Sequence, residues 1–531
     1  MKIQMSASTK TPETADGLNR RSFLGTALAA GTVAGTSGLW LPGSARAAET
    51  PTRGGTMKLG LDGGQTTDTL DPGTYAGSTM FAAAFTWGDR LVTTDPVSGE
   101  ALPMLATSWE PSDGAKTWRF KIRQDVSFHD GTPFTVADAA QTLRRHSDKD
   151  SKSAALGLLA DITKIEEDGK DLVITLSNGN ADLPLLFSDY HLQIQKNGGM
   201  DDPNSAVGTG PYKLESFEPG VRIAFSKNKN DWNEERGFVD SVEILVMNDN
   251  TARIAALSSG KVHFINSLDP KTMKLLKRAP NVETISTKGK GFYSFLMMGD
   301  MAPFDNNDLR MALKLSIDRQ AMLDQILGGY GSLGNDYPVN EAYALAPTGI
   351  EQRAYDPEEA AHYYKKSGHS GPIELRTANA AFTGAVDAAV LFQQNAKACG
   401  IDLQIKREPD DGYWSNVWNK KAFCASYWGG RPTQDIRYTT TQLSTSTWND
   451  THFKSPEFDA MLMQARAETD QEVRRDLYQK MAVLVRDTSG LILPVFNNYL
   501  NARSKKLMGW VDDLGNDLSN GQVASRCWLS A

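Results

Sequence analysis

The chain has 531 residues, 40% of them hydrophobic and 23% charged, with a formal net charge of -8. That composition describes a globular protein of more than one domain and excludes a disordered tail. No apolar run beyond the N-terminal region approaches the ~20 residues of a membrane span, so no membrane-spanning role is expected. An acidic body repels phosphate backbones, and nucleic acid is not an expected partner.

The first segment reads as a leader. Asn19-Arg20-Arg21-Ser22-Phe23-Leu24 sets paired arginines before a weakly apolar stretch, 24–41, diluted with Gly, Ala, Ser and Thr. This is the pattern of a twin-arginine export signal. Ala45-Arg46-Ala47 supplies the small residues a signal peptidase requires, which predicts cleavage after Ala47 and a mature chain of 484 residues. The leader holds five basic and two acidic residues, so its removal takes the net charge from -8 to -11. No cysteine lies near the cleavage site to be acylated, and the mature protein is expected free in the periplasm. Only Cys399, Cys424 and Cys527 occur. At most one internal disulfide can form, and two readings stay open: a Cys399–Cys424 pair, or three buried free thiols.

Further along, residues 55–61 alternate as a first strand, and Asp71-Pro72-Gly73 is turn chemistry. Residues 118–123 and 171–176 alternate as strands with one buried face, and Glu166-Glu167-Asp168-Gly169-Lys170 between them predicts a hairpin turn. Helical periods appear at 135–145, 307–327, 384–398 and 455–487. Short strands are expected at 373–377, 402–406 and 422–427. Helices alternating with strands after about residue 293 imply a partly parallel sheet, so the fold class is α/β.

The usual catalytic signatures are missing. Gly329, Gly331 and Gly334 match G-x-G-x-x-G, but they follow a helical run instead of a strand, so the glycines read as a helix-capping loop. No phosphate-binding G-x-x-x-x-G-K and no G-x-S-x-G nucleophile elbow occurs. The seven His residues show no metal-site spacing, and no cofactor or metal is expected.

Four blocks of sequence carry a resemblance. The first runs from Leu105-Ala106-Thr107-Ser108-Trp109-Glu110 through Trp118 to Phe128-His129-Asp130-Gly131-Thr132-Pro133, where Thr135 is a helix cap and Asp138 lies in the first turn. The second and third are Gly208-Thr209-Gly210-Pro211-Tyr212-Lys213-Leu214 and Phe217-Glu218-Pro219-Gly220. The last is Ala302-Pro303-Phe304-Asp305-Asn306-Asn307-Asp308-Leu309-Arg310, followed by Ile317-Asp318-Arg319. In this order they closely resemble the extracellular solute-binding proteins of family 5, the dipeptide, oligopeptide and nickel receptors of ABC importers. His129-Asp130-Gly131 looks like a catalytic dyad but reads as a turn. Arg310 is expected to brace loops.

The resemblance implies a two-lobed periplasmic binding protein with a subdomain inserted in the first lobe and the ligand cleft between lobes. Carried onto this chain, the first lobe is 48–95, 206–293 and 495–531, the insertion 96–205 and the second lobe 294–494. Crossings near Phe292-Tyr293 and Val495-Phe496 would form the hinge. The implied partners are a small-molecule ligand and the permease subunits of an ABC importer, and a monomer is the default. An exported hydrolase and a periplasmic chaperone using the same cleft are the competing functions, the first lacking a sequence signature.

The expected ligand-binding residues are Trp414, Tyr427, Trp428, Gly429, Gly430, Arg431 and Asp435. Trp428, beside two glycines, is expected to present its ring to ligand. Trp414 and Trp418 read more readily as core. Peptide-binding relatives carry an aspartate shortly after the corresponding tryptophan, where this chain has Arg431; Asp435 could recover the acidic role. A guanidinium in a water-excluded cleft matches a carboxylate, which favours a short peptide, an opine or an amino-acid derivative. The bland alternative is a surface Arg431–Asp435 bridge.

Overall fold

The computed structural model describes residues 50–382, 384–409 and 413–530, with the side chain of Ser415 left out. The expected leader, 1–47, lies outside the described residues.

Three large sheets, with two further two-stranded pairs, organise these residues. A seven-stranded sheet runs in the order Val282–Thr287, Tyr499–Ser504, Phe264–Ile265, Thr56–Leu61, Ser241–Val246, Arg222–Lys227, Tyr212–Glu218. Its centre is parallel, with Thr56 opposite Ser241 and Leu61 opposite Val246. Helix Gly77–Trp87 is apolar nearly all round and buries Met80, Phe81 and Phe85 in the core that covers this sheet. A helix of that kind must be covered on every side.

The second sheet has six strands in the order Gly331–Leu333, Leu491–Asn497, Phe292–Met297, Phe423–Trp428, Ile373–Thr377, Leu403–Arg407. Phe292–Met297 reads as a continuous apolar run because both its faces are covered: Phe295 and Met297 join one core, Phe292 and Leu296 the other. Ile373–Thr377 pairs in parallel with Leu403–Arg407, as helices between strands require. A third, antiparallel sheet of Ala106–Ser112, Thr117–Ile122, Asp171–Leu176 and Ile162–Asp168 lies within residues 106–176, its hairpin turning at Gly169-Lys170.

Several details differ from the sequence reading. The run 307–327 is two helices, Asn307–Leu315 and Arg319–Gln325, because the Asp318 carboxylate caps the second by accepting from the Ala321 N–H. The run 455–487 likewise breaks into Pro456–Ala467 and Gln471–Thr488 at the cap Asp470. Gly331 and Gly334 are not a helix cap. They belong to an edge strand and its end, and a Cβ at either would meet a carbonyl oxygen of Leu491–Asn497 at 2.3 and 2.1 Å.

Connections between the two large sheets lie close to the expected crossings. Phe292 pairs with Phe496 and Tyr293 with Val495 inside the six-stranded sheet. The segments that connect the two large sheets are 288–291 and Asn498. Cys399, Cys424 and Cys527 are free and buried, so the structure has the three-thiol arrangement. Among the described residues no helix is long and apolar enough to cross a membrane.

The four blocks prove largely structural. The Thr135 N–H donates to Asp138 (2.9 Å) in a capping box that starts helix Val136–Ser147. His129 and Asp130 are not a dyad: the His129 ring hydrogen-bonds with the Gly210 carbonyl, while the Asp130 carboxylate accepts from Thr132 and Lys196. Arg310 donates to the carbonyls of Phe304 and Thr488 and to Asn307, bracing the start of its own helix against the preceding turn and the end of helix Gln471–Thr488.

Candidate ligand-binding site

A cavity of about 650 Å³ lies between segments of all three sheet systems. One wall holds Phe81 and Phe85 of helix Gly77–Trp87, with Tyr190 and His191 beside them; the other holds Lys290, Arg431 and Asp435. The walls are tied together at one edge, where the Ala181 N–H donates to the Arg466 carbonyl (2.7 Å) and Arg474 pairs with Asp182 (2.6 Å).

The loop carrying Arg431 is built by its neighbours. Strand Phe423–Trp428 ends, Gly429 and Gly430 turn the chain, and Thr433 caps helix Gln434–Thr441 by accepting from the Ile436 N–H (3.2 Å). Arg437, on that helix, is fully buried; it donates back to the Gly429 carbonyl and to the Tyr343 hydroxyl (3.3 Å). The same hydroxyl accepts from the Arg431 backbone N–H (3.3 Å).

Arg431 lies over the Trp428 ring, 5.4 Å from its centroid, and its side chain donates to the Gly430 carbonyl (3.2 Å). Among the described residues no carboxylate lies within ion-pair distance of it, so the Arg431–Asp435 bridge is absent. Burial and the neighbouring Arg437 charge both press its pKa below the usual arginine value. Asp435 faces the same cavity but is spent on Arg466, whose Nε donates to both carboxylate oxygens (3.0 and 3.1 Å). Burial pushes Asp435 up to about 6, against the pull of Arg466.

Trp428 is placed differently from expectation. It is 6% exposed, its indole N–H donates to the buried Asp450 carboxylate (2.9 Å), and it does not line the cavity. As the last residue of a strand, its ring points into the core, where it supports Arg431 from below. Trp414 and Tyr427 are 39% and 49% exposed and touch each other edge to face (5.5 Å), also outside the cavity. Trp414 is therefore not core. Gly430 lines the cavity and Gly429 does not.

Lys290, Tyr343 and Arg437 around the Arg431 loop, and Phe81, Phe85 and Tyr190 on the facing wall, were absent from the sequence reading. His191 was set aside with the other histidines, yet it lies at the wall. Its two ring nitrogens are engaged by Asp189 (2.6 Å) and the Tyr75 carbonyl (3.0 Å), and the nearby Ser188 hydroxyl donates to the Leu185 carbonyl. This is a braced wall and not a nucleophile beside a base. Among the described residues no group of three or more His, Cys, Asp or Glu is placed to hold a metal ion.

Known proteins share this architecture. The di/tripeptide-binding protein 1 of Pseudomonas aeruginosa is 28% identical over 335 residues, 58% of this chain and 62% of that protein. The chain thus matches less than two thirds of that relative's length. The periplasmic oligopeptide-binding protein OppA of Haemophilus influenzae is 26% identical over 494 residues, 84% of this chain and 89% of that protein. The solved structure of the binding protein AgaA with agropinic acid, from A. tumefaciens R10, superimposes with a TM-score of 0.72 at 23% identity, covering 90% of this chain and 99% of that one. The fold is that of a two-lobed periplasmic binding protein of mixed α/β class. The family of bacterial extracellular solute-binding proteins, family 5, matches residues 100–450, and the chain belongs to that family.

Proposed function

We propose that this chain is the periplasmic solute receptor of an ABC importer, that it captures a small carboxylate-bearing molecule by hinge closure, and that it delivers that molecule to permease subunits. The observation that carries the reading is Arg431: a guanidinium on the cavity wall, stacked on Trp428 and without a protein carboxylate. A desolvated, unpaired guanidinium is a receptor for a carboxylate, which it holds through two parallel hydrogen bonds. Short peptides, opines and amino-acid derivatives fit this chemistry.

In this reading residues 48–95, 206–293 and 495–531 are the first lobe, 96–205 the insertion and 294–494 the second lobe. The connecting segments 288–291 and Asn498 are the hinge. Ligand shifts the population toward closure because it touches both walls only in the closed form, and no bond is made or broken. Gly430, Arg431 and Asp435 form the ligand wall, with Trp428 beneath it; Trp414, Tyr427 and Gly429 support or flank it.

Mass spectrometry of the solute carried by purified mature protein tests the assignment, backed by a thermal-shift screen of dipeptides, agropinic acid and related amino-acid derivatives. A solute at 100 times its dissociation constant is expected to add ~2.7 kcal/mol of stability. Turnover of the bound solute during long incubation would replace the receptor reading with an enzymatic one.

Export follows from the leader. Arg20→Lys with Arg21→Lys is expected to leave precursor in the cytoplasm, since the paired guanidinium groups are what the twin-arginine receptor reads. Undiminished periplasmic yield would assign export to the general secretory route.

A further inference from the structure

Lys290 lies in the connecting segment 288–291, between Gly289 and Gly291, and is 4% exposed. Its Nζ has one hydrogen-bond acceptor among the described residues, the Pro432 carbonyl at 3.5 Å, and sits 4.9 Å from the centroid of the Tyr343 ring. Tyr343 is also the residue whose hydroxyl accepts from the Arg431 backbone and the Arg437 side chain. Arg437 Nη1 has no hydrogen-bond partner among the described residues. Three cations are thus gathered around one tyrosine, and none has a carboxylate within ion-pair distance among the described residues.

Some comparable groups are neutralised, Arg236 by Asp89, and Arg319 and Arg353 by a shared Asp336; others, such as Arg253 and Lys314, are held by backbone carbonyls, but these do not line the cavity. Burying an unpaired charge is costly, and the cost is relieved when a counter-ion arrives. The surroundings of Lys290 offer little relief. Asp513 acts on it from a distance but is paired with Arg526, Arg437 opposes it, and the neighbouring Tyr343 and Tyr499 bring no carboxylate. Burial holds its pKa down to about 8, so the amine still carries its charge at neutral pH.

We propose that Lys290 is a ligand-binding residue and forms with Arg431 a two-cation receptor whose solute carries two acidic groups. Lys290 and Arg431 both line the cavity, while Arg437 lies behind the loop and positions it. A single carboxylate would leave two of the three local positive charges unbalanced; a second acidic group matches the two that line the cavity and leaves one. Because Lys290 sits in the connecting segment and Arg431 on the loop after strand Phe423–Trp428, the bound anion joins these two parts of the chain. The inference rests on the cleft being the solute site.

The test uses full-length mature protein and three probes: the dipeptides Ala-Glu and Ala-Gln, equal in shape and differing by one charge, and sulfate against chloride at matched ionic strength. Wild type is expected to bind Ala-Glu at least tenfold more tightly than Ala-Gln in calorimetry, and sulfate is expected to raise its melting temperature. Lys290→Met removes both effects, and Lys290→Arg retains both. If Lys290→Met keeps the Glu-over-Gln preference, or if sulfate protects wild type and Lys290→Met alike or protects neither, the proposal is overturned while the cleft reading stands. If neither dipeptide binds but sulfate protection depends on Lys290, the peptide branch of the proposed function fails and the anion receptor holds. Unfolding of Lys290→Met is separated from loss of binding by circular dichroism and by Lys290→Gln, which must behave the same way.

Discussion

Arg431→Ala is expected to weaken solute binding at least tens-fold in calorimetry while leaving the melting temperature of the empty protein nearly unchanged. Loss of a desolvated, charge-assisted contact costs ~2–5 kcal/mol, much of it because the partner charge is left buried and unpaired. The empty protein loses much less. Arg431 gives up its position over Trp428 and a bond to its own loop, interactions worth about 0.5–1 kcal/mol for the ring contact. In return its repulsion with Arg437 disappears. Arg431→Lys retains the charge but lacks the planar fork, so intermediate binding is expected. Wild-type affinity in Arg431→Ala would place the solute's carboxylate elsewhere.

The largest stability effect is expected at Asp336, far from any ligand role. It is fully buried and accepts from Arg319 (2.7 Å), Arg353 (2.5 Å) and the Leu493 backbone N–H (2.9 Å). Lys314, also buried, contributes to the same field and donates to the Arg486 carbonyl. Burial would raise the Asp336 pKa, but the three cations and the Arg319 hydrogen bond outweigh it and hold the group at about 2. Asp336→Ala strands the buried Arg319 guanidinium and leaves Arg353 with Asp487 as its one carboxylate, a change that costs ~3–5 kcal/mol.

The pH dependence has a definite sign. The folded-state value of about 2 lies below the unfolded 3.8, so the carboxylate's contribution is fully present above about pH 4 and is lost as pH falls through 2. The shift corresponds to about 2 kcal/mol. In urea unfolding, the gap between wild type and Asp336→Ala should therefore narrow as pH drops from 4 toward 2. A gap below 1 kcal/mol at pH 7 would show that Arg319 and Arg353 find other acceptors.

What the sequence disclosed depended on how local the determining contacts are. Alternation exposed the 171–176 strand and its hairpin, since burial on one face of a sheet imposes period two. Helical runs were visible, but their breaks at Asp318 and Asp470 were not, because an aspartate within an amphipathic stretch looks like a solvent-facing residue until its caps are seen. Gly331 was misread for a similar reason: its meaning comes from the Phe496 carbonyl, 165 residues on. Arg431 stood out beside its tryptophan and glycines, whereas its lack of a counter-ion is a property of the folded surroundings. Trp428 looked loop-borne because two glycines follow it. Its indole is instead committed to Asp450, 22 residues later. Lys290 carried no local signal at all, since Pro432 and Tyr343 reach it only through the fold.

Hinge closure on a solute is the central claim, and small-angle scattering tests it most directly. Mature protein is measured after its carried solute has been stripped by unfolding and refolding, and again with that solute restored at a concentration calorimetry shows to be saturating. The account predicts a smaller radius of gyration at unchanged molecular mass, as the walls joined by Ala181–Arg466 and Asp182–Arg474 come together. Superimposable curves with and without saturating solute would contradict it.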